Sequence, residues 1–228
     1  MSQIFDRLGG VPEPEEGIRI WAEIPEGYTA LPLKDISGSL ERAAALVTEL
    51  APEELQGFVA PTTAALSALL LELADRSAAY CGLGRHLSPG DGLVLTSTLV
   101  VTAWNTGAEG DPRQLLGELA SRIDVDPEDD ETELSLVDLL GTPMLFHETV
   151  RDLPTPLDED ETATAPVFTI EALVASRDGS KVAAVEFATP FLTHGPEFRM
   201  MMAQFAASLS FDAPPPEPEA GNIRSALG

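Results

Sequence analysis

The chain has a single cysteine, Cys81, among 228 residues. An internal disulfide framework is excluded, and such sparing use of cysteine fits a reducing compartment. Basic side chains are also scarce: 13 Lys and Arg stand against 38 Asp and Glu, a formal charge of −25. A field of that sign repels phosphate backbones and anionic lipid surfaces, so neither nucleic acid nor membrane is an expected partner. No uninterrupted apolar run reaches the roughly 18 residues that would span a bilayer. The opening segment "MSQIFDRLGGVPEPEEG" lacks the basic region and the apolar core of an export signal. The expected location is the cytoplasm, and the missing export signal disfavours a secreted effector.

Catalytic and ligand-binding motifs are missing too. There is no Walker A loop, no Gly-x-Ser-x-Gly elbow and no His-Glu-x-x-His pair. "GLGRHL" at 82–87 starts like a dinucleotide loop but follows a predicted helix and lacks the third glycine, so a pyrophosphate would find no helix N-terminus. "DVDPED" at 124–129 alternates carboxylates as a calcium loop does, yet Asp129 stands where the turn needs glycine and Ser135 where a bidentate Glu belongs. "WNTG" at 104–107 ends a predicted strand and carries no known chemistry. The three histidines, His86, His147 and His194, are too far apart to share a helix turn and read as surface residues. His147 and Glu148 are neighbours on a predicted strand and point to opposite faces, so they cannot act together. Cys81, beside Tyr80 and near His86, reads as a buried cysteine at a helix end rather than an activated thiol. No metal and no cofactor is expected.

What is present suffices for one packed domain, since 44% of the residues are hydrophobic. The acidic runs "PEPEEG", "DVDPEDDETE", "LDEDET" and "PPPEPEAG" read as solvated loops and tails. The reading is a flexible tail over 1–17, a single α+β domain over 18–211, and a disordered tail over 212–228. "IRIWAEIPEGYTALPL" predicts two short strands about a Pro25–Gly27 turn. Leu40, Ala43, Ala44, Val47 and Leu50 recur at helical spacing, with Ser37 or Ser39 as cap and Pro52 as stop. A second stripe runs from Leu66 to Tyr80, between a Thr62–Thr63 cap and the breakers Gly82 and Gly84. "GLVLTSTLVVTAWN" is β-branched and apolar on both sides, which predicts a central strand. "DPRQLLGELASRI" predicts a helix capped by Asp111 with Pro112 at its first position. "ELSLVDLLGTPMLFHETV" predicts two strands split at Gly141–Pro143. Phe198, Met201, Met202 and Phe205 form a last helical stripe before a short strand at "SLSF", and the Met200–Met202 run is read mainly as core.

"TIEALVASRDGSKVAAVEF" at 169–187 is the clearest hairpin. A two-residue turn at Asp178–Gly179 would set Ile170 opposite Phe187, Ala172 opposite Val185 and Val174 opposite Ala183, a clean apolar face. A three-residue loop would set Ile170 against Glu186 and spoil it. The same count places Glu171 opposite Glu186, like charges that destabilise a strand pair. That pair is expected on a water-facing, non-catalytic surface. The alternatives are an ion cluster with Arg151 or Arg199, and an acid–base site in which one carboxyl keeps its proton.

The "IPEGY" turn between early strands, a following helix, a meander of hairpins, then a helix and a last strand reading "FAASLSF" together resemble the Mog1/PsbP-like architecture, which includes LpqN-type proteins. The resemblance covers the order of elements over about Ile18 to Phe211. It implies an antiparallel sheet of hairpins covered by helices in an α-β-α sandwich. It also implies a non-catalytic binding or assembly role, with no catalytic residues to transfer.

The expected function is therefore a protein–protein interaction module, an adaptor, assembly factor or escort, with another protein as partner. The alternative is an acid–base hydrolase or lyase using Glu171 and Glu186. Candidate binding residues lie in the tails: Phe5 and Leu8, with Ile4, precede one Pro/Glu leash, and Ile223 and Leu227, around Arg224, follow another. Each set could fold as a helical turn in a partner's groove. The charge itself yields a test: screening should relieve self-repulsion, so the melting temperature is expected to rise between low and moderate sodium chloride. A flat or falling melting temperature would contradict it.

Overall fold

The computed structural model describes residues 18–123, 132–154 and 163–214. The expected tails, 1–17 and all but the first three residues of 212–228, lie outside the described residues. Seven strands form one antiparallel sheet: β1 (Tyr28–Ala30), β2 (Tyr80–Leu87), β3 (Val94–Asn105), β4 (Glu133–Leu139), β5 (Thr142–Pro154), β6 (Thr164–Ala175) and β7 (Lys181–Thr189). Their spatial order is β1-β2-β3-β7-β6-β5-β4. The described helices are α1 (Ile36–Leu50), α2 (Glu53–Asp75), α3 (Pro112–Ala120) and α4 (Arg199–Ser208), the last preceded by a 3₁₀ turn over Leu192–Phe198. The class is α+β, and β3 lies inside the sheet as its apolar, β-branched sequence requires.

Period-two alternation divides the core between the two faces. On one face Ile170, Ala172, Val174, Val185 and Phe187 pack with Phe198, Met202 and Phe205. On the other, Leu145, Leu173, Val182 and Ala184 pack under Leu116, Leu119 and Ile123, in and just after α3. Farther across that second face, Cys81 and Val100 meet Ile36 and Leu40 of α1 and Leu70 of α2. Helices thus lie on both faces.

The hairpin at 169–187 has the expected register: Ile170 pairs with Phe187, Ala172 with Val185, Val174 with Ala183 and Glu171 with Glu186. Its loop is wider than a two-residue turn. Ser176 N donates to Lys181 O at 2.8 Å, and Gly179 N to Ser176 O at 2.9 Å. Of the turn residues only Gly179 has positive φ, at 67°. Ser176 and Ser180 hydroxyls both donate to Asp178 Oδ1, at 2.6 and 2.8 Å. A loop longer by two residues preserves parity, so the faces stay as counted. Between β4 and β5 the turn is tighter, with Leu140 and Gly141 both left-handed at φ 53° and 81°. Pro143 therefore lies inside β5, opposite Asp138.

Helix limits differ from expectation at the predicted hydroxyl caps and at the glycines Gly82 and Gly84. Asp35, not Ser37 or Ser39, precedes α1, and α2 begins nine residues before the predicted Thr62–Thr63 cap. Pro61 is tolerated inside α2 because the carbonyl it deprives of a donor belongs to exposed Gly57, within reach of water. Tyr80 and Cys81, expected at a helix end, open β2, and the supposed breakers Gly82 and Gly84 are strand residues. A Cβ on Gly84 would come within 2.5 Å of Ser97 Oγ and 2.8 Å of Tyr28 Cε1, so close packing demands glycine there. Asp111 caps α3 as expected, its carboxylate accepting from Arg113 N at 2.8 Å. Of the two predicted early strands, the second survives as β1 and the first reduces to a bridge between Trp21 and Ser210.

Candidate functional site

The face carrying α1, α2 and α3 has a polar strip between its two apolar patches. Register builds it: His147 of β5 pairs with Glu171 of β6, which pairs with Glu186 of β7, which pairs with Val100 of β3. His147, Thr149, Arg151, Thr169 and Glu171 are all buried, Glu171 to 1% exposure and His147 to 3%. The expected water-facing position of Glu171 is overturned. The hairpin alone gives no sign that this face also is roofed by helices, whereas the wet-face reading assumed one open side.

A buried carboxylate must be paired. Glu171 Oε2 lies 3.0 Å from His147 Nδ1 and Oε1 lies 3.1 Å from Arg151 Nη2. Arg151 Nε donates to Thr169 Oγ1 at 3.1 Å, and that hydroxyl donates to Thr149 O at the same distance. The arrangement is the ion cluster with Arg151. Arg199, the other candidate cation, lies across the sheet, where its Nε and Nη2 donate to Glu148 at 2.7 and 2.5 Å. Glu186 is half-buried. Burial pushes its pKa up, and the neighbouring Glu171 carboxylate adds to the rise against the pull of Arg151 and Arg76. Glu186 is thereby driven toward holding a proton.

His147 escaped sequence reading because its partner is Glu171, across a strand pair, rather than its chain neighbour. The connection between β5 and β6 is long, so no turn count ties the two registers. His86 and Cys81 share β2 but point to opposite faces. Burial pushes the Cys81 thiol up to about 11, which suits a core residue rather than a nucleophile. His194 Nε2 meets Asp91 Oδ2 at 3.0 Å. No cluster of metal-ligating side chains occurs among the described residues. Phe5, Leu8, Ile223 and Leu227 lie outside them.

A different surface carries the exposed apolar residues. Only the sheet-proximal ends of α1 and α2 are buried, through Ile36, Leu40 and Leu70. Beyond them the paired helices expose Leu46, Val47, Leu50, Leu55 and Phe58, with Leu50 at 80% and Phe58 at 61%. Residues 56–71 contain no charged side chain in a chain of net charge −25. Correcting the expectation from uninterrupted runs, α2 is long and apolar enough to cross a membrane by length and composition. Between Gln56 and Leu71 its polar residues, Gln56, Thr62, Thr63 and Ser67, are uncharged, and Glu53, Glu54, Glu72 and Asp75 stand at its ends. Helical spacing marks these apolar positions in the sequence, but not which of them the sheet fails to cover.

A third feature lies on the α4 face, where β4, β5, β6 and α4 border a pocket of about 250 Å³. No protein-family model matches the chain, and no curated protein matches it in sequence.

The ion cluster makes opposite demands on the two glutamates. Glu171→Gln removes the buried carboxylate that faces His147 and Arg151 and is expected to cost about 3–5 kcal/mol. Glu186→Gln removes a half-buried like charge and is expected to be neutral or to stabilise by roughly 0.2–1 kcal/mol. Because the folded pKa of Glu186 is raised, the native state binds the extra proton. Its contribution is complete below the unfolded value and is lost as pH rises through the folded value. Urea unfolding from pH 4 to pH 8 should show this loss in the wild type and a smaller one in Glu186→Gln. Equal pH slopes in the two proteins would contradict the assignment.

Proposed function

We propose that the chain is a non-catalytic protein–protein interaction module, an adaptor, assembly factor or escort, whose docking element is the arm made by the outer parts of α1 and α2. The domain behind it serves as a rigid base, read here as a Mog1/PsbP-like sandwich. One observation carries the proposal: Leu46, Val47, Leu50, Leu55 and Phe58 are exposed together on one helical pair. Contiguous apolar surface of this kind marks interaction sites in folded domains. Burying a large apolar side chain is worth about 1.5–3 kcal/mol, so a few anchors supply useful affinity. Glu49, Glu53 and Glu54 are exposed around the turn between the helices. The complementary partner is a protein presenting an apolar groove with a basic rim.

The competing reading is an acid–base hydrolase or lyase using Glu171 and Glu186. It gains His147 at 3.0 Å from Glu171. It loses on access, because Glu171 is 1% and His147 3% exposed, and a general base must reach the proton it removes.

The test uses Leu50→Asp with Phe58→Asp. Both positions are exposed, so stability should change by no more than about 0.5 kcal/mol per site. The expected result is that the wild type captures a discrete partner which, once purified, binds in a defined ratio, and that the double variant loses it. Unchanged capture by the folded variant would overturn the proposal, as would recovery of vesicles rather than protein.

A further inference from the structure

The edge of the sheet opposite the arm offers a second binding surface. β4 is the last strand of the sheet, and among the described residues no strand pairs with its outer side. It pairs with β5 without interruption from Glu133 to Leu139, and its sequence ELSLVDL contains neither proline nor lysine. Three means of blunting an edge, a proline, a lysine and a bulge, are therefore missing from β4, whose exposed charges are Glu133 and Asp138. The opposite edge, β1, is blunted by its length of three residues. Alternate residues of β4 also form one wall of the pocket on the α4 face, so backbone hydrogen-bonding groups and a side-chain cavity adjoin.

The pocket is apolar at one end and charged at the other. Val137 and Leu139 line one end; Glu133, Glu148 and Arg199 line the other, where Ile170 stands opposite Glu148 in the β5–β6 register. Ala203 of α4 also lines the cavity. Glu133 stands directly opposite Glu148 in the β4–β5 register. Arg199 forks onto Glu148 with two hydrogen bonds. Two carboxylates against one guanidinium leave a negative balance, carried by the exposed Glu133. Asp138, the other charged residue of β4, is already paired with Arg113.

We infer that the β4 edge binds an extended basic–apolar segment of a partner protein by adding it to the sheet as a further strand. Strand addition draws affinity from main-chain hydrogen bonds and specificity from alternate side chains. One large apolar side chain of the segment enters the pocket beside Val137 and Leu139. Val137 and Glu133 share a face and lie four positions apart, so a Lys or Arg four residues along the segment reaches Glu133. The polarity of the pocket thus selects both a residue type and a spacing.

The experiment uses fluorescein-labelled decapeptides of alternating Thr and Ser in which one position is Phe, Leu or Ile and the position four residues on is Lys, Thr or Glu. Fluorescence polarisation against the full chain should show saturable binding, with the Lys peptides about tenfold tighter than the Glu peptides. Ala203→Phe fills the pocket and should weaken every peptide about tenfold. Glu133→Lys, at an exposed position, should reverse the preference between Lys and Glu. Methylating alternate peptide nitrogens should abolish binding on one strand face, and amide shifts in NMR spectra should concentrate in β4. The proposal fails if no peptide binds the folded wild type below millimolar concentration. It fails equally if Ala203→Phe and Glu133→Lys, shown to be folded by circular dichroism, bind as the wild type does. Leu50→Asp with Phe58→Asp should leave peptide binding unchanged, which separates this site from the arm.

Discussion

Side chains along a strand alternate between faces, so the loop at Asp178–Gly179 decides which residues of β6 and β7 meet which helix. A slip of one residue would carry Ile170 and Phe187 away from Met202 and Phe205 and drive Glu186 into the α4 core. The observed parity does the reverse. It gathers the apolar set of both strands under α4 and delivers Glu171 and Glu186 to the other face, where β5 supplies His147 and Arg151. The ion cluster is thus a consequence of register rather than an independent feature.

Pairing this cluster inside the domain constrains the rest of the molecule. Glu171 needs cations from β5, so β5 and β6 must stay in register over their length, and the broad sheet that results has an edge strand, β4, with pocket-lining residues on one face. On the other face the helices that roof the sheet have unequal lengths. α3 is short and ends over its patch, whereas α1 and α2 continue past theirs. The apolar residues beyond that point have nothing in the described domain to bury against. Within a chain of such strong negative charge, residues 56–71 carry no charged side chain.

How far this could be read in advance depends on whether the signal is local. Asp111–Pro112 and the 169–187 register carry their instructions in nearby residues and formed as expected, whereas the turn expected at Gly141–Pro143 formed at Leu140–Gly141. The β-branched density of 94–105 likewise marked an inner strand. The misreadings share a tertiary cause. Gly82 and Gly84 resemble breakers but are held in β2 by side chains that crowd them from Tyr28, Tyr80 and Ser97. Thr62–Thr63 resembles a helix cap but lies inside α2, which continues through Pro61. Glu171 resembles a surface residue because the hairpin does not show its burial, and the β5–β6 register that brings His147 and Arg151 is not set by any short turn. The exposed arm was hidden by the opposite error, since a helical apolar stripe is ordinarily core, and α1 and α2 bury only one end of theirs.

Site-specific photo-cross-linking tests the docking role most directly. A benzophenone amino acid placed at Phe58 should give a discrete adduct with one partner protein. The same probe at Arg177, which is exposed in the loop between β6 and β7 and belongs to neither the arm nor the β4 edge, should give none. An absence of adduct at Phe58, or identical adducts at the two positions, would contradict the assignment of the arm as the docking element.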